Sequence, residues 1–66
     1  MMAIHTLASA AWRVIRDGDG YRGLVDVVES DGYAQTIVTI SADTYEMAKF
    51  IARDCKRGLV QRWDGR

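Results

Sequence analysis

Two β-like runs, residues 21–29 and 33–41, meet at Ser30-Asp31-Gly32 and are followed by one amphipathic helical stretch; this middle portion constrains the fold more than any other feature. In the first run Tyr21, Val25 and Val27 fall on one face and Arg22, Leu24, Asp26 and Val28 on the other, the period of two that a strand imposes. In the second, Ala34, Thr36, Val38 and Ile40 oppose Tyr33, Gln35, Ile37 and Thr39. A three-residue connection containing glycine makes antiparallel pairing the economical solution. Upstream, residues 12–16 alternate in the same way, and Asp17-Gly18-Asp19-Gly20 breaks them, since glycine admits the positive φ of a tight hairpin turn.

The helical stretch is expected from about Thr44 to Arg57. Asp43 and Glu46 have capping-box spacing, with Ser41 or Thr44 as alternative N-caps. Met47, Ala48, Ile51, Ala52 and Cys55 form an apolar stripe, widened by Phe50. Glu46, Lys49, Arg53, Lys56 and Arg57 lie opposite, the cations gathered toward the C-terminus where the helix dipole favours them. Gly58 reads as the C′ residue that ends the helix. Beyond it, residues 59–63 read as a short fourth strand or as a tail packing through Leu59 and Trp63. Residues 1–11 are open between a short helix, with Ile4, Leu7, Ala8 and Ala11 on one side, and an extended lead-in.

The fold expected is therefore α+β. A three-stranded antiparallel sheet (strands 12–16, 21–29 and 33–41, order βββα) carries one helix on one face. The core should hold Val25, Val27, Val38 or Ile37, Ile40, Met47, Ile51 and Cys55. With 66 residues and no proline or linker to divide them, the chain is one domain, residues 1–66. A domain of this size buries only ~60% of the surface its unfolded chain exposes.

The order of elements, with Tyr21-Arg22-Gly23 opening the second strand and Thr44 leading the helix, resembles the small three-stranded DNA-binding domains of phage integrase arms and plant ethylene-response factors. The resemblance covers residues 12–57 and is architectural. It implies a basic sheet face laid into the major groove, and this chain departs from it there: Asp26, Glu29 and Asp31 put acids on the hairpin.

No constellation of catalytic groups accompanies this architecture. Cys55 and His5 are each the single residue of their type, which excludes an internal disulfide and a His/Cys zinc cluster. A calcium loop begun at Asp17 would need its bidentate glutamate at Val28, one residue before Glu29. No Lys-Ser/Thr follows the glycines to make a phosphate loop. Asp26 and Glu29, the carboxylates nearest to a pair, fall on opposite faces of one strand. The reading is a protein without enzymatic activity, catalytic residues, metal, cofactor or small-molecule substrate. A cytoplasmic location with a reduced Cys55 is expected, since residues 1–11 lack the basic and long apolar regions of a signal peptide and no run reaches the ~20 apolar residues of a membrane span.

Small domains without disulfide or metal commonly complete their core with a second subunit. Both faces of the sheet carry aliphatic groups while one helix covers only one, so Leu24 and Val28 are expected at an oligomer contact, with Trp12 as an interface anchor. The leading expectation is an interaction module acting as a homodimer, a higher homo-oligomer or the binder of a protein partner. The alternative is nucleic-acid binding. Net charge is zero, but residues 12–31 carry net −2 and residues 49–66 net +4. Lys49, Arg53, Lys56, Arg57, Arg62 and Arg66 then serve as phosphate contacts, with Trp63 to stack on a base. The same cations equally suit an acidic protein partner, and a solvated helix face explains them with no partner at all.

Overall fold

The structure, a computed structural model, describes residues 7–62. Three strands, β1 (Leu7–Asp17), β2 (Gly20–Glu29) and β3 (Ala34–Ala42), form an antiparallel sheet in the order β1-β2-β3, and α1 (Tyr45–Arg62) packs on one face of it. This is the α+β, βββα architecture expected. Strands β2 and β3 lie within one residue of the sequence reading. Strand β1 does not: it begins at Leu7, five residues before Trp12, so of the two alternatives positions 7–11 take the extended one and belong to the strand itself. Pairing decides this. Ala10, Ala11 and Ser9 have weak strand preference of their own, but Val27, Asp26 and Val28 of β2 stand opposite them with ladder groups to satisfy. The register shifts between Leu7 and Ser9, beyond which Leu7 pairs with Glu29. Residues 1–6 and the alternatives for them lie outside the described residues.

Both turns use glycine where the backbone demands it. Gly18, at φ 61°, is the first of the two residues linking Asp17 to Gly20, the placement of a type II′ hairpin turn. At the other end the Gly32 amide donates to the Glu29 carbonyl at 2.9 Å and the Glu29 amide to the Tyr33 carbonyl at 2.8 Å. Gly32, at φ 92°, makes the left-handed step, and the Asp31 carboxylate accepts from the Tyr33 amide at 3.0 Å.

Thr44 is the N-cap of α1, its Oγ1 accepting from the Met47 amide at 3.1 Å. The helix then runs through Gly58 to Arg62, so Gly58 is not a C′ residue and positions 59–62 are not strand. Gly58 lacks the positive φ of a left-handed cap. Leu59 supplies the reason: it is half-buried and continues the sheet-facing stripe of Ala48, Ala52 and Cys55 by one more turn. Packing of that turn outweighs the ~1 kcal/mol that glycine costs inside a helix.

The core is smaller than expected and differently composed. Val25, Val27, Ala48, Ala52 and Leu24 are buried, with Ile37, Ile51 and Cys55 half-buried. Val38, Ile40 and Met47 are not core residues: they are 56, 72 and 55% exposed. Three causes act. Ile37 pairs with Val25 and so takes the helix side, which sends Val38, opposite Leu24, to the other face. Between Arg22 and Leu24 the register shifts, β3 spending one extra residue, so Thr39 occupies the site opposite Gly23 and donates to its carbonyl at 2.8 Å while Ile40 opens to solvent. Finally, the helix crosses the sheet at Gly23, where a Cβ would lie 2.6 Å from the Ala52 Cβ and 3.0 Å from the Ala48 carbonyl oxygen. Close approach selects the two alanines for the contact and rotates Met47 to the flank.

Candidate functional site

Two surfaces collect the residues singled out from the sequence, and they lie on opposite sides of the sheet. The first is the uncovered face. Alternation places Ser9, Ala11, Arg13 and Ile15 of β1 there with Arg22, Leu24, Asp26 and Val28 of β2 and Ala34, Thr36 and Val38 of β3. Leu24 is only 7% exposed although α1 lies on the opposite face; Arg13 and Val38 are its cross-strand neighbours. Polar groups on this face are mutually engaged. Arg13 Nε donates to Asp26 Oδ2 at 2.8 Å and Thr36 Oγ1 to Asp26 Oδ1 at 2.7 Å. These hydrogen bonds from Arg13 and Thr36 hold the Asp26 carboxyl below its ordinary range. Arg22 bonds Asp17 through Nε at 2.9 Å and Nη2 at 2.8 Å, and its Nη1 donates to the Thr39 carbonyl at 3.0 Å.

The second surface is a groove of about 500 Å³ between β1 and α1, lined by Trp12, Arg53, Lys56, Arg57, Val60 and Gln61. Its construction follows from two periodicities. Trp12 pairs with Val25, so its indole takes the helix side of the sheet, and because β1 is an edge strand the indole stays only half-buried. On α1, Lys49, Arg53, Lys56 and Val60 recur at spacings of four, three and four, one stripe along the flank that turns toward β1. Arg57 is next to this stripe, and Asp54 stands 3.7 Å from it in an exposed pair. Toward the hairpin, the Arg16 guanidinium lies 5.1 Å from the centroid of Tyr21, whose ring meets Tyr45 edge-on at 6.0 Å.

Of the candidate oligomer contacts, Leu24 and Val28 share the uncovered face, and Trp12 is on the other side of the sheet. Of the candidate phosphate contacts, Arg53, Lys56 and Arg57 converge in the groove and Lys49 extends their line. Arg62 lies apart at the helix end, its Nε donating to the Gly58 carbonyl at 3.3 Å. Trp63 and Arg66 lie outside the described residues. The partnership of Trp12 with the helical cations was missed from the sequence: the charge stripe and the edge-strand indole were each legible, but no sequence signal states that β1 flanks the basic side of α1.

The acids of the hairpin also take a different meaning. Counted along the chain the five acids make residues 12–31 net negative; two of them, Asp17 and Asp26, face away from the groove, each held by an arginine, while Glu29 shares the helix side with Val25 and Val27 by alternation. The Asp17-Gly18-Asp19-Gly20 segment is a hairpin turn with Asp17 engaged by Arg22. Among the described residues no group of three His, Cys, Asp or Glu side chains comes together to hold a metal, and no helix is long and apolar enough to cross a membrane. Comparison with known proteins returned no matching family model, no matching curated protein and no matching solved structure, so the two surfaces are interpreted from their own chemistry.

Proposed function

We propose that the chain is a non-enzymatic interaction module that works as a homo-oligomer, a homodimer in its simplest form, joined through the uncovered sheet face. The observation that carries this reading is the distribution of apolar side chains between the two faces. The helix covers one face only, and the two large side chains buried completely, Val25 and Val27, are both on it. On the other face Val38 and Ile15 are exposed, Val38 by more than half, and Val28 is half-buried beside a Leu24 that is already buried in the monomer. Each Leu or Val fully withdrawn from water contributes roughly 1.5–3 kcal/mol, a large increment for a domain of this size. The polar groups of that face are already neutralised as Arg13–Asp26 and Arg22–Asp17, so a second copy brings no unpaired charge against it. With a half-buried, unpaired Cys55 thiol, we place this role in the reducing cytoplasm.

Sedimentation equilibrium tests the reading. A concentration-dependent dimer is expected, and Val38→Lys, at a position already open to solvent in the monomer, should raise its dissociation constant roughly tenfold or more, ~1.4 kcal/mol per decade, while leaving the circular dichroism spectrum unchanged. A well-folded monomer at high micromolar concentration would remove the proposal.

A further inference from the structure

The groove between β1 and α1 has a composition that neither packing nor helix electrostatics requires. Cations near a helix C-terminus favour the dipole wherever they point around the axis. Here Lys49, Arg53 and Lys56 share one flank, with Arg57 beside it, and the flank meets the half-buried indole of the edge strand. Val60 adds apolar surface at the end of the groove. The two hairpin carboxylates held by Arg13 and Arg22 are on the far side of the sheet, so they do not oppose an anion that enters here.

We propose that this groove binds a single-stranded nucleic acid, with Trp12 stacking on an unpaired base and Arg53, Lys56 and Arg57 meeting the flanking phosphates. An indole beside a line of cations matches the two things a single strand offers together, a planar π-face and a charge repeated along a backbone. A duplex presents the charge but keeps its bases stacked out of reach of an indole in a concave site. An acidic peptide would satisfy the cations and leave Trp12 without a planar partner. A volume of about 500 Å³ falls within the ~300–1,000 Å³ of ordinary ligand sites, and Trp12 is part of its lining. Lys49 extends the line of cations on α1 by one turn toward the helix N-terminus.

The test uses the full chain carrying Trp63→Phe, which leaves Trp12 as the sole indole of two. Titration with a mixed-sequence single-stranded oligonucleotide at low salt should quench Trp12 emission saturably. Measured by anisotropy of a labelled oligonucleotide, Trp12→Ala should weaken binding about 5- to 150-fold, as loss of one stacked base does, and Trp12→Phe much less. Should Trp12→Ala unfold, as circular dichroism would show, Trp12→Leu, which keeps apolar bulk without a π-face, reads the same loss. Arg53→Gln with Lys56→Gln should lower the slope of log affinity against log salt by about 1.4, two phosphates at ~0.7 each. No binding at tens of micromolar would overturn the proposal. So would binding indifferent to Trp12, duplex bound as tightly as single strand, or equal competition by inorganic polyphosphate or a polyglutamate peptide at matched charge.

Discussion

Gly23 of β2 and Ala52 of α1 touch so closely that a Cβ at Gly23 would come within 2.6 Å of the Ala52 Cβ. This contact seats the helix on the sheet. Gly23→Ala should therefore destabilise the fold by about 1–3 kcal/mol through overpacking, read as a lower denaturant midpoint. Ala52→Gly in the same chain relieves the clash with the methyl but not with the Ala48 carbonyl, 3.0 Å from the same Cβ. Partial, non-additive recovery is the expected outcome of the double mutant, and strictly additive losses would show that the two residues do not set the helix position.

Gly18, Gly32 and Gly58 should respond to alanine with opposite signs. Gly18 and Gly32 sit at φ 61° and 92°, where an L side chain is strained, so alanine should cost ~1–2 kcal/mol at each. At Gly58 the backbone is helical and a new Cβ meets only Arg62 Nη2 at an ordinary 3.6 Å. Gly58→Ala should stabilise by roughly 0.5–1 kcal/mol. Thermal unfolding of the three variants separates this from a helix that stops at Gly58, where alanine would destabilise.

Thr44→Ala removes the acceptor of the Met47 amide and should cost about 1 kcal/mol of stability, with Thr44→Ser largely retaining it. Hydrogen exchange at the first turn of α1 would show where the loss falls.

Asp26 links the uncovered face to pH. Its carboxyl is depressed below the ordinary 3.8 by hydrogen bonds from Arg13 and Thr36, so the folded state holds the ionised form more firmly than the unfolded chain does. The contribution is therefore present above the unfolded-state value and disappears as pH falls through the folded one. Unfolding free energies of the native chain and Asp26→Asn should differ at about pH 6 and converge toward about pH 2. A difference that persists unchanged at the acid end would assign the effect to packing and not to ionisation.

Much of the architecture was legible because it is local. Alternation over residues 21–29 and 33–41, glycines where positive φ is required and Thr44 ahead of an apolar stripe specify three strands, two hairpins and a helix in that order. The periodicities also separated Leu24 from Val25 and the cations of α1 from its alanines. Which member of each pair of faces would be covered was a tertiary matter. A period of two states that Ile37 and Val38 oppose each other but not which one meets the helix, and the register shift beside Thr39 that expels Ile40 exists only when β3 is laid against β2. Met47 left the core because close contact at Gly23 chose the rotation of α1, and Gly58 became helical because Leu59 found sheet to pack on. The groove is of the same kind: Trp12 and the line from Lys49 to Lys56 are written far apart in the chain, and only the docking of α1 beside the β1 edge brings an indole and its cations to one place.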